Sequence, residues 1–242
     1  SSRERSKELH MVNVTTDNRI TITVDGQQVQ AKPGAMALEA AMEAGIYVPY
    51  LCYHTGMKPF AACRMCVVQE EVEVEVERDG QKVKEKQLRP PTASCTLPVR
   101  PGLVIKTATD SLRQLQRGIL EMLISEHPHG CLTCHRIELC GPEDICLRHV
   151  SVNDRCVICP KNERCELKDT VRFFGMELES PLSYKTRDLP VEEADPFYDR
   201  DYNLCIVCGR CVRVCEEVRG DSAITFIERA GQSLVGTSRG TS

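Results

Sequence analysis

A chain of 242 residues is long enough for more than one domain, and its formal charge of -4 provides no basic field for nucleic acid. No apolar run approaches the length of a membrane span, and the polar, charged opening SSRERSKELH does not read as a secretory signal. What stands out is fifteen cysteines in a chain with no tryptophan. Disulfides dominate in small secreted domains that lack a core, and an odd count would leave one thiol over. Here the cysteines recur as Cys-x-x-Cys pairs, which suit metal centres better than cross-links between distant segments.

In chain order, RITITVDGQQVQA (19–31) alternates apolar positions around Asp25-Gly26, a two-residue hairpin signal. PGAMALEAAMEAGIYVP follows with Leu38, Ala41, Met42 and Gly45 at helical spacing, Gly45 ending the helix. After the loop YLCYHTGMKPFAACRMC comes the strand-like CVVQEEVEVEVE. Arg78-Asp79-Gly80-Gln81 is the expected tip of a second hairpin, whose return KVKEKQL stops at Pro90-Pro91. LVIKTAT is expected as a closing strand. The acidic run reads as one solvated hairpin face in preference to a docking edge. TDSLRQLQRGILEMLISEH is expected as a helix with Leu112, Leu115, Ile119 and Met122 on one face and Asp110 as its cap. From there to Cys165 the chain has too few apolar residues for an ordinary core, so metal centres must organise it. ESPLSYKTRDLPVEEADPFYDRDYN reads as a polar linker with little regular structure.

Four ligand sets follow from the spacing. Cys52, Cys63 and Cys66 lie in one loop with Cys95 distant, the layout of a [2Fe-2S] ferredoxin, although the first gap is ten residues where the plant-type signature has four. Small residues nearby (Gly56, Ala61, Ala62) would let backbone N–H groups approach the sulfurs. The second set is His127, Cys131, Cys134 and Cys140. The third repeats its frame twenty-five residues on, as Cys156, Cys159 and Cys165, with Val152 where the histidine would be and Cys146 available as fourth ligand. Taken alone, these two sets suit structural zinc and iron–sulfur equally. The ferredoxin unit upstream decides for iron–sulfur, because redox-silent zinc cannot carry electrons onward. The fourth set, Cys205, Cys208, Cys211 and Cys215, has the Cys-x2-Cys-x2-Cys-x3-Cys gaps of [4Fe-4S] ferredoxins. Glu216 stands where proline is usual, and the last cysteine of such a run can serve another cluster, so Cys215 is the weakest of the four. This partition uses all fifteen cysteines. His10, His54, His129, His135 and His149 read as surface groups or groups behind the ligands.

The succession of a ferredoxin-like start (TVDGQQV…LEAAMEAGIYVPYLCYH), His-x3-Cys-x2-Cys-x5-Cys and Cys-x2-Cys-x2-Cys resembles the N-terminal iron–sulfur region of the G subunit of NADH:quinone oxidoreductase (respiratory complex I). It also resembles relatives in soluble NAD-linked hydrogenases, formate dehydrogenases and the front end of [FeFe] hydrogenases. The resemblance covers most of residues 11–220. It implies a [2Fe-2S] centre on Cys52, Cys63, Cys66 and Cys95 and a [4Fe-4S] centre on His127, Cys131, Cys134 and Cys140, the histidine being a family hallmark. A neutral imidazole in place of a thiolate lowers the negative charge around the iron and favours the reduced state, as in Rieske centres. The family has one such frame here and this chain has two. HPHGCLTC looks like the family's start and CELKD, after the second frame, like its finish.

The expected fold is α+β. It comprises a β-grasp [2Fe-2S] ferredoxin-like domain (11–108), a His/Cys-rich [4Fe-4S] region (109–175), a linker (176–202) and a [4Fe-4S] ferredoxin-like segment (203–242). One [2Fe-2S] and two to three [4Fe-4S] clusters are expected. The resemblance implies an electron-relay subunit of a cytoplasmic hetero-oligomeric oxidoreductase, placed between a flavin subunit that binds NADH and a further redox subunit. No Gly-x-Gly-x-x-Gly follows a strand, and no phosphate loop is present. A zinc-scaffold protein and the front fragment of a larger catalytic chain are the alternatives.

Overall fold

In the computed structural model, strands β1 (Ile20–Val24) and β2 (Gln27–Ala31) form the first hairpin. Asp25 and Gly26 both have positive φ, 50° and 88°, as a type I′ turn requires. The structure describes residues 18–78, 80–127, 130–146, 155–176, 182, 185, 187–193, 196–197, 199–228 and 231–237. Helix α1 (Ala37–Glu43) follows and ends at Gly45, φ 73°. The second hairpin pairs β3 (Val67–Arg78) with β4 (Gln81–Leu88), so the predicted tip is correct, although its Asp79 lies outside the described residues. Strands β5 (Thr92–Ala93) and β6 (Val104–Lys106) complete a mixed sheet of order β2-β1-β6-β3-β4, with β6 parallel to β1 and β5 paired to β3. One helix laid across such a sheet is the β-grasp arrangement. Its core joins Ile22, Val24, Leu38, Ala41, Val68, Leu103 and Ile105, all buried. Each large aliphatic side chain buried there contributes about 1.5–3 kcal/mol. The Asp25 carboxylate accepts from the Thr107 N–H at 2.8 Å, tying the first turn to the end of β6.

Beyond Glu71 the second hairpin leaves the sheet as a two-stranded ribbon. Glu73, Glu75 and Glu77 stand opposite Lys86, Lys84 and Lys82, so the acidic run is a solvated face matched across the ribbon by lysines.

Helix α2 (Asp110–Ser125) corrects two expectations. Its cap is Thr109, whose Oγ1 accepts from the Leu112 N–H at 3.2 Å, and Asp110 is already the first helical residue. Its buried stripe is Leu112, Gln116, Leu120 and Ile124, whereas Leu115 and Met122 are 41% and 59% exposed. The polar Gln116 hides this stripe from a reading of apolar spacing. It is buried because its amide donates to the Met65 and Val67 carbonyls at 3.1 and 3.2 Å.

From residue 130 to 165 the described chain consists of turns, with short 3-10 segments at Ile137–Leu139, Cys156–Ile158 and Asn162–Arg164. Leu132 is the one buried hydrophobic residue among those described there. Helix α3 (Glu166–Phe173) follows. Described residues of the linker meet the end of α2. Lys185 N–H donates to the Ser125 carbonyl at 2.7 Å, and Arg187 pairs with Glu126 at 3.0 Å. Helix α4 (Arg210–Arg213) runs into a π turn (Val214–Arg219), followed by the hairpin β7 (Ile224–Ile227) and β8 (Leu234–Thr237), which the sequence reading did not anticipate. No helix among the described residues is long and apolar enough to cross a membrane.

Candidate metal centres

The loop between α1 and β3 holds Cys52, Cys63 and Cys66, and the 3-10 turn after β5 brings Cys95 to them. The four sulfurs stand as two pairs. Cys63 donates to Cys52; that bond and burial push the Cys63 thiol up, and the same bond holds Cys52 down at about 5 against its own burial. Cys95 donates to Cys66, which is held at about 7 while Cys95 is pushed up. Backbone N–H groups surround the pairs: Ala62 and Cys63 donate to Cys52, Leu51 and Met65 to Cys63, and Ala61 to Cys95. Ala61 and Arg64 reach this geometry with φ of 55° and 58°. Such left-handed residues cost about 1–2 kcal/mol each, and a concave run of N–H groups aimed at anionic sulfur offsets that cost. Of the three small residues expected to admit N–H groups, Ala61 and Ala62 do so, whereas Gly56 donates to His54 Nδ1 instead. Two thiolates at each of two irons is the donor demand of a [2Fe-2S] cluster, whereas a single tetrahedral ion needs four donors around one point.

In the central region the two frames are not kept apart. Cys156 donates to Cys131, and that bond and burial push its thiol up, with Cys165 and Cys159 adding to the effect. Cys131, Cys134, Cys140, Cys146 and Cys156 line one cavity. Cys165 is the N-cap of α3, and its Sγ accepts from the Lys168 N–H at 3.4 Å, so the positive end of a helix faces this sulfur. His127 follows the end of α2, its N–H donating to the Ile124 carbonyl at 3.3 Å. His129, His149, the matching Val152 and the N-terminal His10 lie outside the described residues.

The fourth set winds around its own sulfurs. Val207 adopts φ 53°, a costly conformation for a β-branched residue, and donates its N–H to Cys205 Sγ at 3.4 Å. Burial, then the charges of Cys208 and Cys205, pushes the Cys211 thiol up. Cys215 is buried in the π turn and donates to Asp221 Oδ1 at 2.7 Å.

The sets are joined physically. Leu51, Met65, Leu120, Ile124, Leu132, Leu167, Val171 and Met176 form one buried cluster, and Cys63, Cys156, Cys165 and Ile206 pack against it. Helix α4 is pinned on two sides. Arg210 forms an ion pair with Glu166, next to Cys165. Arg213, 5% exposed, donates to the Cys52 carbonyl at 2.5 Å and the Lys58 carbonyl at 2.6 Å, with its guanidinium 5.1 Å from the Phe60 ring. Sequence reasoning did not single out these two arginines. The only signal was their placement inside the cysteine run.

Residues 17–110 match the family of the 2Fe-2S iron-sulfur cluster binding domain. The G subunit of the NADH-quinone oxidoreductase of Streptomyces coelicolor is 29% identical over 231 residues, covering 94% of this chain and 22% of that protein. NADH-quinone oxidoreductase subunit 3 of Thermus thermophilus is 29% identical, covering 90% of this chain and 27% of that protein. The mitochondrial NADH dehydrogenase [ubiquinone] iron-sulfur protein 1 of Solanum tuberosum is 28% identical over 95% of this chain and 25% of its own length. This chain thus spans about a quarter of the length of the curated relatives it matches. Among solved structures, a chain of an NAD+-reducing [NiFe]-hydrogenase in the H2-reduced state superposes with a TM-score of 0.65 at 28% identity, over 90% of this chain and 75% of that one. By sequence along nearly all its length and by fold, the chain is similar to G subunits of NADH-quinone oxidoreductases, and its residues 17–110 match the 2Fe-2S iron-sulfur cluster binding domain.

Proposed function

We propose that this chain is an iron–sulfur relay subunit of a multi-subunit NAD(H)-linked oxidoreductase, passing single electrons between a flavin subunit and a further redox partner. Cys52 and Cys63 would hold one iron of a [2Fe-2S] cluster, and Cys66 and Cys95 the other. His127, Cys131, Cys134, Cys140, Cys146, Cys156, Cys159 and Cys165 supply eight donors for two [4Fe-4S] clusters. Cys205, Cys208 and Cys211 supply three for another, with Cys215 the remaining candidate. Bound there, such clusters accept and release single electrons. The chain's own residues hold them at fixed spacing, screen them from water and set the charge around them. One observation carries the reading: a single small apolar cluster touches cysteine frames that lie far apart in sequence, through Cys63, Leu132, Cys156, Cys165 and Ile206. Centres built on those frames are neighbours in space, as a relay needs.

Iron and acid-labile sulfide are to be quantified on anaerobically purified chain. The expected result is about fourteen irons per chain, from one two-iron and three four-iron centres, with matching sulfide and bleaching on reduction. About ten irons removes one of the cubanes. Zinc without sulfide refutes the reading and leaves a structural scaffold. Mixing with a flavin subunit and NADH is then expected to bleach the clusters.

A further inference from the structure

We propose that Cys131, Cys134, Cys140 and Cys146 form a self-contained four-thiolate site, leaving Cys156, Cys159 and Cys165 to a second cluster whose fourth donor is His127. This allocation rests on the reading that the central donors hold two cubanes, and it differs from the one that the two repeated frames suggest. Cys146 changes places with the histidine.

The path of the backbone is the first argument. Successive tight turns curl the loop on itself. Cys134 N–H donates to the Cys131 carbonyl at 2.9 Å, Ile137 N–H to Cys134 at 3.3 Å and Leu139 N–H to Arg136 at 2.9 Å. The Gly141 N–H then closes on the Asp144 carboxylate at 2.7 Å. The result is that all four thiols of this stretch line one cavity. Arg155 fastens the far side by donating to the Asp144 carbonyl and to the Pro142 carbonyl, the latter at 2.8 Å. Cys146 thus lines the cavity of its own loop, which Cys156 also lines while Cys159 and Cys165 do not.

The second argument is where the other triad lies. Cys159 lines a different surface depression, and Cys165 sits on the N-terminus of α3. Cys156 and Cys165 pack against the cluster that contains Ile124 and Leu123 from the last turns of α2, and His127 follows that turn directly. The histidine thus leaves α2 at the edge of the cluster that Cys156 and Cys165 reach, as does Leu132 of the first loop. Cys156 also touches the cavity through its contact with Cys131, so the two centres meet at their ligands, a short route for an electron.

Two double variants separate the allocations, with iron, sulfide and the visible circular dichroism of the [2Fe-2S] centre as readouts. Cys140→Ala with Cys146→Ala is expected to lose one cubane, about four irons, and Cys146→Ala with Cys159→Ala two, about eight. The reverse order, or equal losses, overturns the proposal. If the variants fail to fold, wild-type chain answers alone. During slow oxidative cluster loss, pulse alkylation read by mass spectrometry is expected to expose Cys140 and Cys146 at one shared rate, distinct from Cys159 and Cys165. Exposure of Cys146 in step with Cys159 and Cys165 overturns it. Wild-type chain without inorganic sulfide instead refutes the underlying cluster reading.

Discussion

Replacing Arg213 by Gln removes a buried positive charge held against the Cys52 carbonyl. Adding an electron to the ferredoxin-like cluster adds one negative charge, so this cation stabilises the reduced state, and its loss must lower the potential. A carbonyl oxygen lies about 4 Å from its own residue's sulfur, which places the guanidinium about 7 Å from Cys52 Sγ; at an effective dielectric of about 20 the interaction is about 2.4 kcal/mol. At about 59 mV per 1.4 kcal/mol for one electron, that is about 100 mV, falling to about 50 mV if water enters the gap. The expected outcome is a [2Fe-2S] midpoint about 50–100 mV below wild type in an anaerobic redox titration followed by EPR. Arg213→Lys separates charge from docking, because it keeps the cation and loses the two-pronged grip on Cys52 and Lys58. It is expected within about 30 mV of wild type by the same electrostatic reasoning. A midpoint unmoved in Arg213→Gln, or lowered as far in Arg213→Lys, would falsify the charge argument.

Other consequences can be checked on the same material. Gln116→Leu leaves the Met65 and Val67 carbonyls without their donor, each worth about 1–3 kcal/mol, but also removes a buried Oε1 that has no partner among the described residues, so a net loss of about 2 kcal/mol is expected in urea unfolding, with faster bleaching of the [2Fe-2S] centre. At Gly209, φ 70°, an added Cβ would lie 2.9 Å from the Phe226 ring and 3.1 Å from Phe60. Gly209→Ala should cost about 1–3 kcal/mol and loosen the C-terminal segment, read as faster proteolysis after residue 200; unchanged proteolysis refutes this. Glu73→Lys sets like charges opposite each other on the ribbon and should cost under about 1 kcal/mol while leaving metal content unchanged. Stripping the iron should raise amide exchange across 130–165, where Leu132 alone supplies buried hydrophobic area among the described residues, and leave the β-grasp core protected.

The elements of the ferredoxin-like domain were legible because each carries a local signal: Asp25-Gly26 for a turn, Gly45 for a helix end, alternation for strands. The buried face of α2 was not, because Gln116 is inside for a reason that lies fifty residues away in the carbonyls around Cys66. The second hairpin of charged residues was readable as strand but not as a free ribbon, since nothing in EEVEVEVE states that β3 meets β6 only at Gln69 and Glu70. Cysteine spacing nominated the candidate donors. It did not report the contact of Cys131 with Cys156, because gaps measure separation along the chain while a loop of tight turns decides separation in space.

The docking arginines extend the same point to the proposed relay. A cysteine frame needs only its own loop to gather donors, so frames can be read one at a time. Arranging several frames in space needs contacts between them, and here these come from ordinary side chains. Arg213 reaches from α4 to the Cys52 loop, Arg210 from α4 to the start of α3, and Leu132 and Ile206 stand inside two different frames. Each of these contacts joins segments distant in sequence, and that of Arg213 is buried, so their loss should alter potentials and packing before it alters metal content. A variant that retains all its iron yet conducts poorly is the signature that spacing between centres, and not ligation, has been disturbed.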